Sequence, residues 1–213
     1  SMIKETIPNK ELTRTGFKET DLVDYNAENI KLGGSFHYNI NDNLNTIFQI
    51  NYAKGSSVYS AQNRFSLNDF SIFNYKAELQ TKNALFRFSG ANENSGDTYD
   101  AGTLAIQINE GWKSSELWYQ DFFTGFLTGK LAFAMNDDEA SKYGRMVADN
   151  IDEFGNVLDK SKPHLPKSGS ELLNNFKREA VSKNISDGGA RVFDKSSMYN
   201  FDFNYNFQDI ISS

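Results

Sequence analysis

From Met198 to Gln208 the chain alternates without a break. Tyr199, Phe201, Phe203, Tyr205 and Phe207 fall on the odd positions, and Asn200, Asp202, Asn204, Asn206 and Gln208 on the even ones. Side chains leave a strand on opposite faces with a period of two, so this segment predicts a β-strand with one aromatic and one polar face. Wound as a helix, it would scatter rings and carboxamides around the whole circumference.

The pattern recurs upstream. In 31–40, Leu32, Gly34, Phe36, Tyr38 and Ile40 oppose Lys31, Gly33, Ser35, His37 and Asn39. In 44–52, Phe48, Ile50 and Tyr52 oppose Asn45, Gln49 and Asn51, with Ile47 out of pattern. In 73–81, Phe73, Tyr75, Ala77 and Leu79 oppose Asn74, Lys76, Glu78 and Gln80, and in 84–91 Phe86 and Phe88 oppose Arg87 and Ser89. Five strands are expected, near 31–40, 44–54, 72–81, 84–92 and 198–208, paired antiparallel in sequence order with the aromatics on one face. Each is close to the roughly 9–11 residues that a tilted strand needs to cross a bilayer.

The connections carry the next inference. Asn41-Asp42-Asn43 and Lys82-Asn83 read as tight turns, the first rich in Asx residues that bond their own backbone. Gly55 to Phe70 reads as a longer connection, and Asn92 to Ser197 as one of about a hundred residues. Short and long connections alternate, as in outer-membrane barrels with tight periplasmic turns and long external loops.

The long connection is expected to carry short helices. Ser114 or Ser115 can cap one through Leu117, Trp118, Phe122 and Phe123, and Asp137-Asp138 can start a second near Tyr143 to Val147. Ser168-Gly169-Ser170-Glu171 reads as a capping box for a third, Glu171 to Lys183, ended by Gly188-Gly189. The organisation follows: an external loop tail over 1–28, four strands over 29–94, a loop with helices over 95–196 and a fifth strand over 197–213. The expected fold class is all-β, a partial antiparallel transmembrane barrel.

Composition narrows the function. Only 38% of residues are hydrophobic, yet 14% are aromatic, with 18 Phe and 10 Tyr. A disordered chain is poor in aromatics, and rings facing lipid with polar groups facing a wet lumen suit a barrel. A net charge of −6 and no basic face argue against a nucleic-acid partner. There is no cysteine, hence no disulfide, thiolate metal site or cysteine nucleophile. No apolar run is long enough for a transmembrane helix. Ser1-Met2-Ile3-Lys4 leads into no signal-peptide core, so a processed product or a segment is expected.

Several short stretches resemble the barrel of TonB-dependent receptors, in particular their SusC-like branch. They are Gly16-Phe17-Lys18-Glu19, Asp21-Leu22-Val23-Asp24-Tyr25-Asn26, Gly55-Ser56-Ser57-Val58-Tyr59, Asn63-Arg64-Phe65-Ser66-Leu67-Asn68-Asp69-Phe70 and Glu93-Asn94-Ser95-Gly96-Asp97-Thr98-Tyr99-Asp100. The resemblance covers about residues 16–105. It implies active import of a nutrient (glycan, peptide or metal chelate) through the outer membrane of a Gram-negative bacterium. The implied partners are outer-membrane lipid, the remaining strands and plug of the receptor, TonB through an N-terminal part not visible here, and a lid lipoprotein. Such receptors have about 22 strands, and five cannot close a barrel. The alternative from a different class is a soluble β-rich binding or adhesion module.

No catalytic or cofactor constellation can be assembled: HExxH, GxSxG and phosphate-loop patterns are missing. His37 and His164, the only histidines, lie on different elements. Glu93, Asn94, Asp97 and Asp100 are rich in oxygen but lack the EF-hand order, and read as a solvated turn before a calcium site. Lys76, Glu78 and Arg87 should share one face as a cross-strand charge ladder. Trp112, Trp118 and Tyr119, with Phe122 and Phe123, are the ligand-contact candidates; packing into a core of the loop's own is the competing expectation.

Overall fold

The computed structural model describes residues 12–207. The chain forms two compact units, one of residues 23–100 with 191–207, the other of residues 12–22 with 101–190. The first is an antiparallel sheet of β1 (Glu28–Asn41), β2 (Leu44–Ser60), β3 (Arg64–Thr81), β4 (Ala84–Asn94), the two-residue β5 (Tyr99–Asp100) and β6 (Lys195–Tyr205). The second holds a single turn α1 (Glu19–Leu22) and helices α2 (Ala101–Trp112), α3 (Ser115–Ala132), α4 (Asp137–Asp149) and α5 (Glu171–Ser182). Content is therefore mixed rather than all-β. The helices are full-length elements of 12 to 18 residues.

The main sheet order is β1-β2-β3-β4-β6, with β5 paired to β3, and the path is open at β1 and β6. All five expected strands are present, in sequence order and antiparallel. Gln208, the last residue of the fifth, lies outside the described residues. Asp42-Asn43 and Lys82-Asn83 make the two tight turns; the Asn43 N–H donates to Asn41 Oδ1 at 2.9 Å.

One connection differs from expectation. Gly55 to Phe70 is not a loop: β2 runs on to Ser60 and β3 begins at Arg64, leaving Ala61-Gln62-Asn63 as the turn. Between the pairs Gly55–Phe70 and Ser57–Leu67 the register shifts: Asn68 and Asp69 of β3 oppose Ser56 alone, and Asp69 takes a left-handed φ of 55°. That extra residue breaks the period-two phase of β3, so the outer part of β3 is masked in the sequence.

In the helical unit α3 packs along α4, and α2 along α5. On α3 Trp118, Phe122 and Phe126 recur every four residues on one buried stripe, facing small residues of α4, Ala140, Gly144 and Ala148. Large-on-small packing brings the two backbones together: a Cβ on Gly125 would lie 2.9 Å from Gly144 Cα. Leu104, Ile108 and Trp112 give α2 its own buried stripe.

The helix starts are legible in detail. Ser114 caps α3 by accepting from the Leu117 N–H. Asn136 and Glu139 form a reciprocal capping box on α4, one residue ahead of the expected start. The box expected on Ser168 is replaced by a cap on Ser170, which accepts from the Leu173 N–H; Ser168 instead donates to Asp21 Oδ1 at 2.5 Å. Helix α2 is not among the expected helices; it follows β5 directly, behind Asp100.

Candidate functional site

The cross-strand register aligns the aromatic positions of every strand. Phe36 faces Phe48, Phe48 faces Ala77, Ala77 faces Phe88 and Phe88 faces Phe201. One row nearer the tight turns stand Tyr38, Thr46, Leu79, Phe86 and Phe203, and one row further from them Gly34, Ile50, Tyr75, Gly90 and Tyr199. The rings touch across strands: Phe86 and Phe203 centroids are 4.5 Å apart, Phe88 and Phe201 4.8 Å, Tyr75 and Phe88 5.9 Å. Gly90 has a specific task here, since the Tyr75 ring lies across it and a Cβ would meet Tyr75 Cζ at 2.4 Å.

This face is open. Phe36 is 62% exposed, Phe201 79% and Phe203 60%, where a soluble sheet would bury them. A contiguous apolar area of this kind marks a contact surface in a folded protein.

The limit of the apolar band runs obliquely across the strands. Ile30 of β1 is level with Lys54, Ser71, Asn94 and Lys195, all polar. On β2 and β3 the band begins one row further in, at Tyr52 and Phe73. On β6 it begins a row later still, at Tyr199.

The opposite face is polar. Glu78 stands opposite Arg87, and Arg87 opposite Asp202. Arg87 Nε donates to Glu78 Oε1 at 2.5 Å and Lys76 Nζ lies 3.2 Å from the same oxygen, which leaves the Glu78 side chain 8% exposed. The three expected charges do share this face, as a paired ladder whose partners are one another. Asp202, on the next strand, extends the row. His37 is on this face opposite Ile47, while His164 Nδ1 lies 3.2 Å from Leu165 O.

The acidic turn does not converge. Asp97 Oδ1 accepts from Arg191 Nη2 at 2.9 Å, Asn94 Oδ1 accepts from the Gly96 N–H at 3.0 Å, and Glu93 belongs to β4 opposite Ile72. No group of three or more His, Asp or Glu side chains among the described residues is placed to hold a metal ion. The stretches 55–59, 63–70 and 93–100 meet at one end of the sheet. Ser57 pairs with Leu67, Ser66 with Tyr99, and the Asp97 N–H donates to Asn68 O at 2.8 Å.

Among the ligand-contact candidates, Trp118 is fully buried and Trp112 is 5% exposed, so both take the own-core alternative. Trp118 Nε1 donates to Asp149 Oδ1 at 2.7 Å and Trp112 Nε1 to Asn109 Oδ1 at 3.0 Å. Tyr119 is half-buried and donates to Leu12 O at 3.2 Å. A hundred-residue insertion needs apolar burial of its own to be ordered, and these rings supply it.

The segment read as a loop tail is part of this core. Arg14 lies between the two indoles, its guanidinium carbon 5.3 Å from the Trp112 ring and 5.9 Å from the Trp118 ring. Its Nη1 reaches Glu110 Oε1 at 3.3 Å and Ser115 Oγ at 3.2 Å, and Nη2 donates to Asn109 O at 3.0 Å. Thr15 donates to Asp149 Oδ2 at 2.5 Å, and Arg145 donates to Thr15 at 3.0 Å. Burial pushes the Glu110 carboxyl up, but bonds from the Ser115 hydroxyl and N–H, with Arg14 beside it, outweigh burial and hold it below the usual range. Nothing local in 12–18 announces this role, which depends on contacts about a hundred residues away.

Compared with protein-family models, with curated proteins and with solved structures, the chain has no match. Among the described residues no helix is long and apolar enough to cross a membrane, which leaves crossing by strands untouched.

Proposed function

We propose that the chain supplies wall strands and an external helical unit of an outer-membrane receptor of the TonB-dependent, SusC-like kind, which imports a nutrient without altering it covalently. One observation carries the reading: an exposed aromatic face continuous across all five long strands, backed by a polar face and flanked by two open edges. Lipid is the occupant that suits such a face, and further strands are the partners that suit such edges.

Two features add support. The oblique limit of the apolar band is what a flat membrane boundary produces when it crosses tilted, staggered strands. β2 has 17 residues, or roughly 55 Å at full rise, so even at a barrel tilt it projects past a hydrocarbon core of about 30 Å. Its outer part, near Ser56 to Ser60, is polar enough to stand in water. In this arrangement the charge ladder faces the lumen, and the helical unit is the external loop. The chain then contributes wall and loop, while plug and TonB contacts belong to other parts of the receptor.

The test is to prepare residues 1–213 with and without detergent and to measure mass by light scattering and strand content by far-UV circular dichroism. Association in water, with order restored by detergent or by a complementary chain, is the expected result. A folded, detergent-free monomer with a cooperative melt would overturn the proposal and favour a soluble binding module.

A further inference from the structure

The Arg14 pocket has a property that a simple packing contact lacks: its walls are held in place without Arg14. The Trp112 indole is fixed by its own bond to Asn109 one turn back, and the Trp118 indole by its bond to Asp149 of α4. Glu110 is fixed by the Ser115 N–H at 3.1 Å, a bond that ties the end of α2 to the start of α3. Asn109 O is a carbonyl of the last turn of α2, where the helix end favours positive charge. Two aromatic planes, a carboxylate, a hydroxyl and a carbonyl thus converge on one position.

The chemistry of that position is selective. A guanidinium is flat, stacks on indoles, and spreads its donors in a fork. Here the fork is divided among Glu110, Ser115 and Asn109, with both rings within about 6 Å of the cation, the distance at which such attraction acts. An ammonium is a compact point charge and could not reach all three acceptors while lying against both rings.

Residues 12–18 have no regular structure, and Arg14 Nε is buried with no acceptor among the described residues. The other ties near Arg14 run through Thr15, which bonds Asp149, Arg145 and Asn109, and through Leu12 O, which accepts from Tyr119.

We infer that Asn109, Glu110, Trp112, Ser115 and Trp118 form a preorganised guanidinium-binding site, which the chain fills with its own Arg14. The segment 12–22 is then a strap seated by that site, and a guanidinium group is the class of ligand that the site takes when Arg14 is removed. This rests on the helical unit alone and is independent of the barrel reading.

The experiment uses the full chain carrying Arg14→Ala, which leaves a guanidinium-shaped vacancy under the strap. Methylguanidinium is titrated at millimolar concentrations, with methylammonium at equal ionic strength, while tryptophan fluorescence and the thermal melt are followed. The expected result is a saturable response to methylguanidinium, at least tenfold stronger than to methylammonium, and no such response in the unsubstituted chain. Equal responses to the two cations, an equal response of the unsubstituted chain, or no response from a variant with unchanged circular dichroism would each overturn the inference. If Arg14→Ala loses helical content, recovery on adding methylguanidinium supports the site. Failure to recover overturns it, because the walls would then depend on Arg14 itself.

Discussion

Arg14, Glu110, Trp118 and Asp149 show how single side chains hold the helical unit. Trp118 has no exposed surface and bonds a buried carboxylate, so Trp118→Ala removes a ring and leaves Asp149 short of a donor. We expect a loss of about 3–5 kcal/mol, as for other buried aromatics, read from urea unfolding followed by helical circular dichroism. The Glu110 carboxyl titrates lower in the folded chain than in the unfolded one. Its contribution is therefore complete above the unfolded value and is lost as pH falls through the folded one. Melting temperature should drop between about pH 5 and pH 3, and less steeply in Glu110→Gln; equal slopes would exclude Glu110 as the cause. The Glu110 side chain is 42% exposed, so solvent keeps the effect modest.

At the scale of elements, the α3–α4 pair depends on having no side chain at its closest approach. A Cβ on Gly144 would meet Phe122 O at 2.8 Å and Phe126 N at 3.1 Å, both backbone atoms that cannot swing aside. Gly144→Ala should gain up to about 1 kcal/mol of helix propensity but lose about 1–3 kcal/mol to overpacking. The net result is destabilisation, visible as a lower urea midpoint. A midpoint raised above that of the unsubstituted chain would mean the helices can separate freely. The sheet elements were the most readable of all, because alternation names both the strand and its faces. Where the bulge at Asn68–Asp69 changes the phase of β3, that signal ends although the strand does not. Helices α3, α4 and α5 were legible through their polar starts, whereas α2 follows directly on β5 and was missed.

For the whole molecule, the two faces of the sheet should respond differently to the same charge. If lipid covers the aromatic face, Phe201→Arg should weaken insertion into vesicles by about 2–4 kcal/mol. Asn200→Arg, one residue away on the polar face, should leave it nearly unchanged. Folding into lipid vesicles at graded urea, read by gel mobility and by strand content in far-UV circular dichroism, measures both; equal losses would show that the faces are not distinguished by their surroundings. The sequence by itself determined the strands, their order and the separation of aromatic from polar faces, since period-two alternation is a local property and neighbouring strands joined by tight turns must pair. It also placed Lys76, Glu78 and Arg87 together, because fixed register follows from the turns. Only the tertiary structure decided where the tryptophans go and what Arg14 does. Those outcomes rest on contacts between residues about a hundred positions apart, where burial of one ring depends on which distant segment closes over it, and no local pattern encodes that choice.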